Sequence, residues 1–390
     1  MFAARTGWNL SPNRLTLRLE RRRAAGLPII DLTESNPTRC EFDYPATQIL
    51  QAISRPDALA YDPHPRGVTA AREAVAAEYR ARGVDVSTGN LVLTSGSSEA
   101  YSFLFRLLTD PGDRVLVPTP SYPLFDLLAD INDVRLAPYP LLPEARFAID
   151  TAALERAAGG AKALLVVSPG NPTGHFLGRS DRDAIIGICS THGIPLICDE
   201  VFSDYAYAPD ENRAASLAGE SRLLTFTLNG LSKMLALPQL KLGWIAVSGP
   251  AAETTGALAR LDLIADTFLS VNTPVQRGLA ELLALRPGIQ AQVMQRVRAN
   301  MDYLRSATAA PHPCRCLSSE GGWNAILEVP RVRTEEEWAL DLIDSCGLLV
   351  HPGYFFDFPG EGHLVVSLLP PAGQFRRGVD RLLEHLSSVA

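Results

Sequence analysis

Between residues 69 and 250 the chain alternates two textures. Short apolar runs rich in β-branched residues recur: LVLTS (91–95), RVLVP (114–118), ALLVVS (163–168), PLICDE (195–200), LLTFTL (223–228) and WIAVSG (244–249). Each has the length and composition of a buried strand. Between them lie segments with helical periodicity at 69–82, 98–108, 122–131 and 181–192. Strands alternating with helices predict an α/β fold, with a mostly parallel sheet joined by right-handed crossovers and covered by helices on both faces. After about residue 285 the texture changes. Residues 288–309 read as one long amphipathic helix. Short strands near 323–329 and 364–369, helices near 334–345 and 373–388 and Pro/Gly-rich turns then predict a smaller α+β domain. Residues 1–45 match neither texture and are expected to join the small domain across the large one. The expected division is therefore 1–45, 46–285 and 286–390.

Composition narrows the function classes. The chain of 390 residues is 46% hydrophobic and 20% charged, with a formal net charge of -7. That balance suits a globular chain and opposes a polyanion-binding surface. The basic cluster Arg18–Arg23 contains Glu20 and reads as a solvated helix face, so no nucleic acid is expected. No run approaches the roughly 18 apolar residues of a membrane span, and no signal-peptide core is visible, so no membrane is expected either. Six scattered cysteines (40, 189, 198, 314, 316 and 346) suggest free thiols in a reducing cytoplasm. The seven histidines form no i, i+3 or i, i+4 pair, and no metal is expected.

Candidate chemistry sits at the ends of the apolar runs. In 94-TSGSSEAYSFLFRLL-108 a strand end meets a turn of small residues and then a helix. Gly96, Ser97 and Ser98 there can bring backbone N–H groups and a hydroxyl to a phosphate, although such turns also serve as plain caps. Tyr122 follows the next strand and can stack on a planar ring. Asn171 lies in 168-SPGNPTG-174, where it is a turn residue or an amide donor. Asp199, in 198-CDEVFSDY-205, is a carboxylate at the end of a buried run and needs a cation or donor. Lys233 lies in 229-NGLSKMLALPQLKLGW-244, flanked by Ser232 and Lys241. A lysine amine for a Schiff base and a carboxylate for a pyridine nitrogen are what a pyridoxal phosphate enzyme requires. The order of these residues, each at a strand end, is more specific than any one of them.

These motifs resemble the class I/II aminotransferases of fold type I, from about residue 29 to 388. The resemblance implies pyridoxal 5'-phosphate, with Lys233 as Schiff-base lysine and proton shuttle and Asp199 at the ring nitrogen. It implies Asn171 at the ring oxygen, Tyr122 stacked on the ring, and Ser97 and Ser98 at the phosphate. Tyr61, in 61-YDPHPRG-67, is similar to the tyrosine that crosses a dimer interface to the neighbour's phosphate. Ser35, Asn36 and Pro37 resemble the stretch that lies over the substrate. A homodimer with shared sites is implied, acting on an amino donor and a 2-oxo acid.

Three positions depart from the family. Phe202 stands where a tyrosine usually donates to the ring oxygen. Lys241 stands where an arginine usually meets the phosphate, keeping the charge but losing the bidentate fork. Val365, in 362-GHLVVSLLP-370, stands where an arginine usually clamps the substrate α-carboxylate. Two explanations are open: another arginine, Arg39 or Arg66, takes over the carboxylate, or the substrate lacks an α-carboxylate or is held by other groups. The expected function is amino-group transfer through Lys233. The alternative is β- or γ-elimination, or other α-carbon chemistry, on the same fold.

Overall fold

The computed structural model describes residues 1–309 and 311–389. Near the N-terminus, β1 (Ile30–Asp31) is a two-residue strand whose partner lies far along the chain. The apolar runs that follow build one sheet from β2 (Leu91–Thr94), β3 (Arg114–Thr119), β4 (Arg135–Leu142), β5 (Ala148–Ile149), β6 (Ala161–Val167), β7 (Leu196–Asp199), β8 (Thr225–Gly230) and β9 (Gly243–Ser248). Their order is β2-β9-β8-β7-β6-β3-β4-β5. Every residue of β2, β7 and β8 is buried, as strands covered on both faces must be.

The sheet is mixed. β3, β4, β6, β7 and β8 pair in parallel, but β9 runs antiparallel to both β8 and β2, and β5 antiparallel to β4. The WIAVSG run therefore departs from the parallel pattern. A helical turn (Leu231–Met234) and a 3-10 turn (Pro238–Leu240) are all that separate β8 from β9. That is no full crossover, so the strand returns beside its predecessor. β4 was not anticipated: Pro138 and Pro140 interrupt its pattern, and prolines are tolerated near a sheet edge, where β4 lies.

Helix Arg286–Ala307 begins two residues before the expected segment. It leads to β10 (Arg315–Cys316), β11 (Asn324–Glu328), β12 (Leu348–Leu349), β13 (His351–Pro352) and β14 (His363–Ser367). Four of these form an antiparallel sheet, β10-β11-β14-β13, while β12 pairs in parallel with β1. Helix Glu335–Asp341 starts at a capping box between Thr334 and Glu337 and widens over Leu342–Cys346 before Gly347 ends it. Helix Ala372–Val389 closes the chain.

The register aligns the motifs along one edge of the large sheet. Thr94 pairs with Gly243, Gly243 with Gly230, Leu228 with Asp199, and Asp199 with Val167. No helix among the described residues is long and apolar enough to cross a membrane.

Candidate active site

That edge opens into a cavity of about 230 Å³. Gly96, Ser97, Ser98, Tyr122, Asn171, Asp199, Phe202, Ser232, Lys233 and Lys241 all line it. These ten residues singled out from the sequence thus meet in one place. Tyr61, Ser35, Asn36, Arg39 and Arg66 do not line it. Tyr61 is 74% exposed, in a separate depression beside the end of helix Ala251–Phe268. Asn36 accepts a hydrogen bond from the Thr38 backbone and caps the turn that follows Ser35. Arg39, on that turn, has an exposed guanidinium 3.8 Å from Glu34. Arg66 is bound to Asp262 and to the Gly89 carbonyl, which leaves it no free fork.

At one end of the cavity, helix Ser97–Leu108 presents its N-terminus behind Gly96, whose φ of 145° lies outside the range of ordinary side chains. The first N–H groups of a helix have no partner within it. The backbone around them is crowded. A Cβ on Gly230 would lie 2.9 Å from the Gly243 Cα, and one on Gly243 would lie 3.1 Å from the Gly96 Cα. Three glycines thus let the ends of β8 and β9 close around this helix end, with the side chains of Ser97, Ser98, Ser232 and Lys241 facing the same space. Unpartnered N–H groups, hydroxyls and one ammonium suit a phosphate.

At the other end lies Asp199, only 7% exposed. Its Oδ1 accepts from the Val201 backbone at 3.0 Å and its Oδ2 from the Tyr101 hydroxyl at 2.6 Å. Burial pushes its pKa upward, opposed by the Tyr101 and Val201 donors and by the charge of Lys233. The Lys233 pKa is lowered by burial, partly offset by Asp199, which favours the neutral nucleophilic amine. The Tyr205 hydroxyl donates to the Lys233 carbonyl at 2.6 Å and so fixes the short helix that carries the lysine. Nζ lies 5.3 Å from the Phe202 ring centre and 5.1 Å from that of Trp323.

Asn171 is oriented from the second sheet. Asn324 Nδ2 donates to Asn171 Oδ1 at 2.8 Å, so the Asn171 amide N–H groups remain for a ligand oxygen. A planar ring with an acidic nitrogen, a phenolic oxygen, an aldehyde and a phosphate matches this donor set, and the glycine cradle fits its phosphate end. Val365 is fully buried in β14, packed with Ile326, Phe356 and Phe358, and offers no charge. Among the described residues lining the cavity, the basic side chains are Lys233 and Lys241.

The sequence reading missed Tyr101, Tyr205, Trp323 and Asn324. Tyr101 carried a readable sign, a hydroxyl on the apolar face of helix 97–108. The other three depend on contacts between distant segments.

Residues 28–382 match the family model for aminotransferase class I and II. The chain is 28% identical over 383 residues to an alanine aminotransferase of Mycobacterium bovis, covering 94% of this chain and 87% of that protein. It is 26% identical over 382 residues to a glutamate-pyruvate aminotransferase of Haemophilus influenzae, covering 95% and 93%. The solved alanine aminotransferase from Pyrococcus furiosus superposes with a TM-score of 0.90 at 23% identity, covering the whole of both chains.

Proposed function

The chain belongs to the class I and II aminotransferases, and from that premise we propose that Lys233, Asp199 and the helix end at Ser97 perform amino transfer in the cavity they share. It is a pyridoxal phosphate-dependent transaminase of fold type I, acting on amino and 2-oxo acids. The observation that carries the assignment of residues is their convergence: a buried carboxylate, a lysine with a lowered pKa and an open helix N-terminus on one sheet edge.

When bound, the cofactor supplies an aldehyde for a lysine amine and a ring that takes up the electron pair left when the donor's α-proton departs. Gly96, Ser97, Ser98, Ser232 and Lys241 hold the phosphate. Asp199 keeps a proton on the ring nitrogen. Tyr122 stacks on the ring and Asn171 donates to its phenolic oxygen. Lys233 Nζ, neutral when released, would take the proton from the donor's α-carbon and return it two bonds away, across the amino nitrogen, to the carbon that carried the aldehyde. The Tyr205 hydroxyl, bonded to the Lys233 carbonyl, fixes the backbone from which this side chain works. Phe202 and Trp323 shield it from water.

The donor we infer is a small neutral amino acid such as alanine, the amino acid named in two of the relatives above. The cavity supports this, because its two lysines are engaged at the cofactor and no further basic side chain lines it for a side-chain carboxylate. Arg39 swings from its loose contact with Glu34 to meet the α-carboxylate, with Ser35 and Asn36 on the same segment over the substrate. Two copies assemble so that Tyr61 of each reaches the other's phosphate; Leu59 and Leu263, 91% and 72% exposed, supply apolar surface for such a contact. We place the assembly in the cytoplasm, where its free cysteines stay reduced. The same reading divides the chain at 45/46 and 285/286, with the pairing of β1 to β12 tying the N-terminal segment to the smaller part. Steady-state rates with alanine, glutamate, aspartate and carboxylate-free amines test the donor class. Alanine is expected to give the highest kcat/KM. A dicarboxylate or a plain amine in first place overturns it.

A further inference from the structure

We propose that Tyr101 is a positioning residue that keeps the shared proton on the cofactor's ring nitrogen by donating its own proton to Asp199; this rests on the reading of Asp199 given above. The geometry is specific. The Tyr101 hydroxyl meets Asp199 Oδ2 at 2.6 Å, with the tyrosine 1% and the aspartate 7% exposed. The second oxygen is taken by the Val201 N–H. Two protein donors thus fix the carboxylate, one for each oxygen, and Asp199 itself lines the cavity.

The consequence follows from basicity. A proton between a carboxylate and a pyridine nitrogen resides on the more basic partner. Each donor to the carboxylate lowers its basicity and leaves the proton on nitrogen. Burial alone would do the reverse, because it raises the Asp199 pKa. Tyr101 opposes that rise. Burial and the adjacent carboxylate also hold the Tyr101 phenol well above its ordinary range, so it stays a donor throughout the working pH. The other titratable groups facing Asp199 are Tyr122 and Lys233; Cys198 precedes it on β7 and Glu200 follows directly after the strand. Of these, Tyr101 is the side chain that donates to it.

The same tyrosine also reaches the ring-stacking residue. Its ring packs edge-on against Phe125 at 5.3 Å, and Phe125 packs edge-on against Tyr122 at 5.7 Å. Helix Ser97–Leu108 therefore carries the phosphate cradle at its first turn and the support for both carboxylate and stacking ring one turn later.

Tyr101→Phe keeps these aromatic contacts and removes the hydroxyl alone. The experiment loads the full chain with pyridoxal phosphate labelled with nitrogen-15 in the ring and records that nitrogen's chemical shift near neutral pH, with kcat and KM for the amino donor. In Tyr101→Phe the ring-nitrogen signal is expected to move toward the unprotonated position, and kcat to fall roughly ten- to a hundredfold with KM nearly unchanged. A second variant carries 3-fluorotyrosine at position 101, a stronger donor of nearly the same shape. Its signal is expected to stay at or beyond the wild-type position on the protonated side, which keeps the test open should Tyr101→Phe fail to fold. Wild-type signal and kcat in Tyr101→Phe, or an unprotonated signal in the fluorotyrosine protein, would overturn the proposal. A wild-type protein that converts no amino donor would instead defeat the reading of the whole site.

Discussion

Replacing Phe202 by tyrosine restores a phenol beside the cofactor's ring oxygen, and the structure indicates what this does to the proton on the Lys233 nitrogen. Phe202 is 6% exposed and lines the cavity, with its ring 5.3 Å from Lys233 Nζ and edge-on to Trp323 at 5.2 Å. Two aromatic faces beside the nitrogen favour its cationic form. No phenol competes for the ring oxygen's charge, so that charge also holds the proton. The aromatic faces are common to both proteins, so the missing phenol alone predicts a protonated nitrogen up to higher pH in the natural chain than in Phe202→Tyr. A hydrogen bond to a charged oxygen contributes about 1.5–3 kcal/mol. At about 1.4 kcal/mol per pKa unit, that lowers the midpoint by roughly one to two units in the variant. A pH titration of the bound cofactor's absorbance reads the midpoint directly, because the protonated and neutral forms absorb at different wavelengths. Coincident midpoints would refute the reasoning, since the two proteins differ only in the hydroxyl. A midpoint that rises in the variant would refute its sign.

Lys233→Ala removes the base and nucleophile together and is expected to lower kcat at least about a thousandfold, measured as product formed in single-turnover reactions. Gly230→Ala places a Cβ 2.9 Å from the Gly243 Cα and 3.0 Å from the Leu242 carbonyl, both backbone. It is expected to destabilise the chain by about 1–3 kcal/mol in denaturant melts and to weaken phosphate binding in an equilibrium titration. Asp199→Asn should abolish transfer yet stabilise the cofactor-free chain at neutral pH. Burial raises the folded-state pKa of Asp199 above 3.8, so the cost of its charge appears as pH rises past that value and is complete above the raised one. Thermal melts should show the variant's advantage vanishing as pH falls toward 3.8. Arg39→Ala should raise KM for a carboxylate donor roughly tenfold or more with little change in kcat; unchanged KM would dismiss Arg39 as the carboxylate cation.

Much of the site was legible because its parts lie at strand ends, where apolar runs stop at Thr94, Val167, Asp199 and Gly230. A buried carboxylate after PLIC and a lysine after a Gly-Leu-Ser turn are conspicuous on chemical grounds alone. Strand direction was less legible. WIAVSG has the same composition read either way, and its antiparallel course depends on the length of the 231–242 connection. β4 was hidden by its prolines. Asn324 and Trp323 escaped for another reason: they contact Asn171 and Phe202 from the start of a strand in the second sheet, more than 100 residues away in sequence, and no local pattern encodes that docking. The departure at Val365 was visible in the sequence. Its burial among Ile326, Phe356 and Phe358 shows that a hydrophobic cluster fills the space around this position.

The most direct test of the account is the acceptor-free half-reaction. Protein loaded with pyridoxal phosphate is mixed with a stoichiometric excess of L-alanine, and cofactor absorbance, pyruvate and ammonia are followed together. The account predicts one pyruvate per site, full conversion of the cofactor to its amine form, no free ammonia, and recovery of the original absorbance on adding a 2-oxo acid. Pyruvate and ammonia accumulating over many turnovers without an acceptor would contradict it and mark elimination chemistry instead. An absorbance that no amino acid changes would contradict the assignment of Lys233 and its cavity altogether.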